Sequence, residues 1–118
     1  EWEINSKWNP ANGCPGYFNY LAAVIRAQKE LIKMRGIRVP TLFLISTDSF
    51  IPKKWEERIM KSDIILNAKD NTVAAKKIGK DTEIVKIDSA IHDVFLSSIK
   101  VRENAFEEMF SWIGKKLD

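Results

Sequence analysis

The stretch TEIVKIDSAIHDVFLS, residues 82–97, places the chain's single histidine shortly after a predicted β-strand. Apolar and polar residues alternate over 82–87 and β-branched residues are frequent there, and both features favour a strand. The strand is expected to end at Asp88 and Ser89, which are common turn formers. His92 is therefore expected beyond the carboxyl end of a strand, where open α/β sheets hold ligands and catalytic groups.

A second strand is predicted from VPTLFLIS, residues 39–46, because this run is continuously apolar. Such a run indicates a strand that is covered on both faces, with Pro40 confined to its first position. An excursion over 47–63 follows, with a short helix predicted around 53–61, and then a helix over about 69–78. Two strands joined through a helix are expected to pair in parallel, with a right-handed crossover.

Further helix signals bound the rest of the chain. One helix is predicted from Tyr17 to Arg35, with Gly36 as its C-terminal stop. The helix before the second strand is expected to begin near Asn67 or Asp70 and to end at Gly79. The last helix shows the clearest amphipathic stripe. Its predicted core residues are Phe106, Met109, Phe110, Ile113 and Leu117.

This order of elements predicts the α/β class with a parallel sheet. A parallel sheet of two strands buries too little surface to be stable alone, so we expect the last third of a larger sheet. The absence of an initial Met adds to the expectation of a fragment. An uncovered sheet edge also predicts that the isolated chain forms a homodimer or a larger homo-oligomer.

Composition excludes several classes of protein. The net charge is +3, but the lysines occur in scattered pairs near acidic residues, so nucleic-acid binding is not expected. The single cysteine, Cys14, excludes an intramolecular disulfide and a cysteine-based zinc site, and it suits a reducing compartment such as the cytoplasm. No apolar stretch approaches the roughly 20 residues of a membrane span. No cofactor or metal is expected.

Two carboxylates compete as partners for His92. Histidine is the general base most easily poised near neutral pH, and it works best when a carboxylate orients it. Asp48 directly follows the strand at 41–45, and Asp63 opens the sequence DIILN after the excursion. Loops at the carboxyl ends of adjacent parallel strands converge, so either aspartate can reach His92. The alternative is structural: turn formation by Asp48, capping by Asp63 and an exposed or structural His92.

Taken together, these motifs resemble the C-terminal part of the α/β-hydrolase fold. The likeness is to its serine aminopeptidase and lysophospholipase-like branch, which includes monoacylglycerol lipases. VPTLFLIS resembles the strand before the acid, SDIILNAKD the acid turn, IDSAIHDVFLS the histidine turn and FEEMFSWIGKKL the closing helix. The resemblance covers residues 37–117 and, more loosely, 1–36 as the end of a lid region plus a helix. It implies a triad in chain order Ser, acid, His, with Asp63 as the acid and His92 as the base.

The sequence departs from the family pattern at several positions. Asp63 lies much farther beyond its strand than the family's acid does, which keeps Asp48 as a rival. Asn67 stands where an acidic residue is common, and Ser89 replaces a usual glycine. No G-x-S-x-G motif occurs in the chain, so the nucleophile elbow is missing. The resemblance places the nucleophile and the oxyanion hole in an N-terminal part of the same protein, and the chain alone is expected to be inactive.

The expected function is therefore the C-terminal portion of a serine hydrolase. Its substrates would be small-molecule or lipid carboxylic esters, such as lysophospholipids or acylglycerols. The alternative is a small non-catalytic α/β interaction domain. Of the tryptophans, Trp112 is expected to pack in the core, and Trp55 either shapes an active-site rim or packs back with Ile59 to anchor the excursion. Trp2 and Trp8 could line an acyl pocket.

Overall fold

The protein is described by a computed structural model. It describes residues 5–8, 10, 12–13, 15–33 and 36–117, without the side chain of Ile32. Trp2, Cys14 and the last two residues of the predicted first helix lie outside this described part. The chain divides into two compact units, residues 1–34 and 35–118.

The first unit contains one α-helix among its described residues. Helix α1 spans Phe18–Lys33, close to the predicted range. Its apolar residues recur at helical spacing, but Leu21, Ile25 and Leu31 are all exposed. The helix prediction is therefore confirmed, whereas burial of its apolar face is not seen.

The second unit is a mixed α/β arrangement built on a two-stranded parallel sheet. Strand β1 spans Thr41–Ser46 and strand β2 spans Thr82–Ile87, in a register that runs from Thr41 opposite Thr82 to Ser46 opposite Ile87. The predicted parallel pairing is confirmed. The helical elements are a 3₁₀ turn at Glu57–Lys61, α2 at Ala68–Ile78, a 3₁₀ turn at Val94–Leu96 and α3 at Ile99–Leu117.

Local signals explain both ends of α2. The Asn67 side chain accepts hydrogen bonds from the backbone N–H groups of Lys69 and Asp70, which makes Asn67 the N-cap. At the other end, Gly79 pairs with Ile37 in an isolated parallel bridge. A Cβ atom at Gly79 would lie 2.8 Å from the Ile37 carbonyl oxygen, so only glycine allows this close approach.

The core lies where the end of β2, the loop after it and α3 meet. Ile87, Ala90, Val94 and Ala105 form its fully buried cluster. The buried face of α3 therefore centres on Ala105. The predicted stripe on this helix is wrong in part, because Phe106 and Leu117 are exposed and Phe110 is 63% exposed.

Strand β1 pairs with β2 on one edge only within the part of the chain that the structure describes. The N–H groups of Thr41 and Thr47 donate to the carbonyls of Asp81 and Ile87 on the β2 side. Because the bonding direction alternates along a parallel strand, the peptide groups of Leu42 and Leu44 face the other edge. Thr41 to Leu44 are only half-buried, so the described part of the chain does not cover β1 on both faces, as expected for a piece of a larger sheet.

No helix in the described part of the chain is both long enough and apolar enough to cross a membrane.

Candidate functional site

The histidine turn is fixed on both sides of His92. Ala90 and Val94 are buried in the core, and the Ile91 N–H donates to Ser97 Oγ at 3.0 Å. The His92 side chain itself is 39% exposed. The backbone of the turn is thus held firmly, whereas the imidazole remains open to a reacting group.

Ser89 adopts a backbone conformation that favours glycine. Its φ is +57°, in the left-handed region that favours glycine. The sequence keeps the turn with a serine, whose hydroxyl donates to Asp88 Oδ2 at 3.3 Å. The turn that leads to His92 therefore contains one strained non-glycine residue.

Ser46, at the last position of β1, ties the histidine turn to this strand. Its buried Oγ lies 2.7 Å from the Ala90 carbonyl oxygen and 2.8 Å from the Asp48 carbonyl oxygen. The Thr47 N–H extends the ladder to the Ile87 carbonyl. No local sequence signal predicts this role, because Ser46 only ends an apolar run.

Asp63 comes to the same edge of the sheet although it lies far from β1 in sequence. Its N–H donates to the Asp48 carbonyl at 2.9 Å, and its carbonyl accepts from the Phe50 N–H at 3.1 Å. These bonds form a short parallel bridge between Ser49 and Asp63. The excursion therefore closes on itself and returns the acid to the carboxyl end of β1.

The Asp63 carboxylate is 4% exposed and fully engaged. Oδ1 accepts hydrogen bonds from the backbone N–H groups of Ile65 at 2.8 Å and Leu66 at 2.9 Å. Oδ2 lies 3.0 Å from His92 Nδ1. The expected contact between Asp63 and His92 is confirmed.

Electrostatics define the state of this pair. Burial acts to raise the pKa of Asp63, but hydrogen bonds from the Leu66 amide, His92 and the Ile65 amide outweigh it, so the pKa is lowered. An ionised carboxylate only accepts hydrogen bonds, so Nδ1 of His92 carries the hydrogen. In the neutral ring, Nε2 then holds a lone pair and can accept a proton from a substrate or nucleophile.

Asp48, the rival acid, lies in a different network. Arg58 donates to both of its oxygens, from Nε at 2.9 Å and from Nη2 at 2.8 Å, and Ser62 Oγ donates to Oδ2 at 2.7 Å. The Arg58 hydrogen bonds, followed by that of Ser62, lower the pKa of Asp48 to about 2. The structure thus brings Asp63 to His92 and engages Asp48 elsewhere.

Two cavities flank β1 and share His92. The larger, about 890 Å³, is lined by Ile37, by residues 39–44 of β1 and the segment before it, and by residues of α3, including Met109 and Trp112. The smaller, about 270 Å³, is lined by 43–46, by Asp63 and by α2. His92 thus lies between residues that line both cavities.

The tryptophan predictions have mixed outcomes. Trp55 is 72% exposed, so the expectation that it packs back to anchor the excursion is wrong for this residue, whereas Ile59 is partly buried. Trp8 is exposed too. Trp112 is partly buried beside the larger cavity, and its Nε1 has no hydrogen-bond partner among the described residues.

The chemistry available at this site is acid–base chemistry. Among the described residues, no group of three or more His, Cys, Asp or Glu side chains converges in a way that could hold a metal ion.

In comparisons with known proteins, no family model, no curated protein and no solved structure matches the chain.

Proposed function

We propose that the chain is the C-terminal, acid- and histidine-bearing part of a serine hydrolase with the α/β-hydrolase fold, acting on carboxylic esters. The observation that carries this proposal is the 3.0 Å contact between Asp63 Oδ2 and His92 Nδ1. Its surroundings are those of a catalytic pair, because the carboxylate is buried and held by two amides while the imidazole is half exposed.

In the proposed reaction, His92 Nε2 removes the hydroxyl proton of a serine as the serine oxygen attacks the ester carbonyl carbon. The imidazolium then returns this proton to the leaving alkoxide, and a seryl ester remains. Water, activated by the same nitrogen, hydrolyses the seryl ester and restores the serine. Asp63 holds the ring in the Nδ1–H tautomer and stabilises the imidazolium in both steps.

The nucleophilic serine is expected from another segment of the protein. The chain contains no G-x-S-x-G motif. Ser46, Ser62 and Ser97 are buried and hydrogen-bonded in structural roles. Ser49 accepts a hydrogen bond from the Ala68 N–H at the start of α2. These engagements support a nucleophile outside these 118 residues.

The unpaired edge of β1 supports an N-terminal part of the same protein as the partner. A strand added there would hydrogen-bond to the peptide groups of Leu42 and Leu44. Its side chains would point alternately into the two flanking cavities. Loops at the carboxyl end of the extended sheet would then face His92. Lipid esters, such as lysophospholipids or acylglycerols, are the substrate class that the family resemblance implies.

The second candidate is a non-catalytic α/β interaction domain. The uncovered edge of β1 favours it as well, because such an edge can pair with a strand of another protein or of a second copy. Exposed apolar residues, among them Ile51 and Phe110, are consistent with such association. The two candidates differ in whether Nε2 of His92 accepts a proton from a serine hydroxyl.

A fluorophosphonate probe distinguishes the two candidates. We expect no labelling of the chain alone, and labelling of one serine outside the chain in the full-length product of its gene. His92→Ala in that product should abolish the labelling, because the serine then lacks its base. Labelling of a serine within residues 1–118, or labelling that persists without His92, would overturn the proposal. A folded full-length product that is never labelled would favour the interaction domain.

A further inference from the structure

We propose that Asp48, Arg58 and Ser62 form a clasp that positions the acid Asp63 against His92. They are positioning residues, because none of them contacts the imidazole. The inference rests on the proposed function for its biological meaning. The contact that it concerns exists in the chain itself, so the clasp can be tested without the nucleophile.

The need for a clasp comes from the path of the chain. The excursion leaves the sheet at Ser49 and returns at Asp63. Its middle offers limited apolar anchoring, since Ile51, Trp55 and Met60 are exposed. Among its other apolar residues, Pro52 and Ile59 are only partly buried. A hydrogen bond of 3.0 Å nevertheless requires Asp63 to be placed within a few tenths of an ångström. Polar contacts must therefore hold the returning segment.

The Asp48 side chain makes the first of these contacts. The guanidinium of Arg58 bridges both carboxylate oxygens and lies over the Phe50 ring, 4.3 Å from its centroid. A planar, bidentate pair fixes orientation as well as distance. The 3₁₀ turn at Glu57–Lys61, just before the acid, is thereby held against the residues that follow β1.

Asp48 also holds the two residues that end the excursion. Oδ2 of Asp48 accepts a hydrogen bond from the hydroxyl of Ser62, which is almost fully buried. The backbone carbonyl of Asp48 accepts a hydrogen bond from the Asp63 N–H. One aspartate thus fixes Ser62 through its side chain and Asp63 through its main chain. The Cα–Cβ direction of the acid follows from these two points.

Residues on the other side of the acid complete the arrangement. The Phe50 N–H donates to the Asp63 carbonyl, and the Ala68 N–H donates to Ser49 Oγ at 2.9 Å. The acid turn is therefore tied to the segment at 48–50 both before and after Asp63. An exposed ion pair adds little to the free energy of unfolding. We therefore expect the pair of Asp48 and Arg58 to affect the position of Asp63 more than the stability of the fold.

The clasp can be tested by ¹H–¹⁵N NMR of His92 in the chain, at a pH of about 9 where a free imidazole is neutral. Two readouts report on the contact: the fraction of the Nδ1–H tautomer and the exchange rate of the Nδ1 proton with water. Arg58→Met should lower that fraction and speed the exchange roughly tenfold, as expected for a weakened hydrogen bond to a charged group. In Arg58→Lys, both readouts should lie between those of the wild type and Arg58→Met, because an ammonium cannot bridge both oxygens of Asp48 with the same geometry.

Lys116→Met provides the matched control. It breaks an exposed ion pair of the same length, 2.8 Å between Lys116 Nζ and Asp81 Oδ1, which involves neither Asp63 nor His92. Both His92 readouts should remain at their wild-type values in this variant. A change as large as that of Arg58→Met would show a general loss of structure and would contradict the clasp.

Ser62→Ala guards against a failure of Arg58→Met to fold, because it removes a single hydrogen bond and keeps the ion pair. It should shift both readouts in the same direction by a smaller amount. Wild-type tautomer fraction and exchange rate in Ser62→Ala and in whichever Arg58 variant folds would overturn the proposal. The proposed hydrolase function fails by a different readout, the absence of fluorophosphonate labelling, so the two failures are distinguishable.

Discussion

Asp48 and Asp63 lie on neighbouring segments just beyond the carboxyl end of β1, yet their surroundings differ sharply. Both oxygens of the half-exposed Asp48 face a guanidinium. The buried Asp63 gives one oxygen to two amides and the other to an imidazole. The two carboxylates are chemically identical, so their partners decide their roles.

The partners of the two carboxylates distinguish a structural acid from a candidate catalytic acid. Arginine remains charged at any working pH, so the partner of Asp48 cannot take part in proton transfer. An imidazole can accept and release a proton, so the partner of Asp63 can take part in proton transfer. The catalytic candidate is the acid whose partner can change its charge and can still be reached from outside.

The largest expected effect is on catalysis. In the full-length product, Asp63→Asn should lower kcat by about 10⁴, the loss expected when a triad acid no longer holds the correct tautomer. Asp48→Asn should lower kcat by about tenfold or less, because it disturbs positioning only. Steady-state kinetics with a p-nitrophenyl ester would measure both. Equal losses in the two variants would remove the distinction between the two acids.

The next effect is on stability. Asp63→Ala leaves the Ile65 and Leu66 amides without their acceptor, which should lower the free energy of unfolding by about 1–3 kcal/mol. Asp63→Asn keeps a side-chain oxygen for these amides, so its loss should be under about 1 kcal/mol. Urea unfolding of the chain would compare the two. An equal loss in both variants would mean that the charge, and not the acceptor, holds the turn.

A smaller effect is expected on acid stability. Folding lowers the pKa of Asp48 from 3.8 to about 2 and also lowers that of Asp63. A lowered pKa stabilises the fold above the unfolded value, and this contribution is lost as pH falls through the folded value. The urea concentration at the unfolding midpoint should therefore decrease as the pH is lowered from 3.8 to about 2. This decrease should be smaller in Asp48→Asn.

Salt separates the two carboxylates in the same titration. The pair between Asp48 and Arg58 is about half exposed and is screened at high ionic strength, whereas the contacts of the buried Asp63 are screened much less. The difference between wild type and Asp48→Asn should thus shrink in about 1 M salt. If the difference in urea midpoint between wild type and Asp48→Asn stayed the same in high salt, the ion pair of Asp48 and Arg58 would not be screened by solvent ions.

The smallest effect is expected at Trp55. Because its ring is exposed, Trp55→Ala should change the free energy of unfolding by no more than about 0.5 kcal/mol and should leave the His92 tautomer unchanged. Thermal or urea unfolding and NMR would test this. A loss above about 1 kcal/mol, together with a changed tautomer, would show that apolar packing anchors the excursion after all.

The sequence predicted the elements with local signals and missed those that depend on distant partners. The strands, their parallel pairing and the ends of α2 follow from apolar patterns, a helix between strands and capping residues. Residue patterns alone left Asp48 and Asp63 open, and only the resemblance favoured Asp63, because the choice depends on the bridge to Ser49 and the reach of Arg58 across the excursion. The burial of α3 shifted from Phe110 toward Ala105 because β2 and the histidine turn contact that side.

We infer from the contact at 3.0 Å that Asp63 holds the His92 ring with Nδ1 protonated and Nε2 available as a base. Long-range ¹H–¹⁵N NMR of the wild-type chain, at a pH where the imidazole is neutral, tests it directly. We expect the Nδ1–H tautomer to dominate, and we expect Asp63→Asn to shift the ring toward Nε2–H. A dominant Nε2–H tautomer in the wild-type chain, unaffected by Asp63→Asn, would contradict the account.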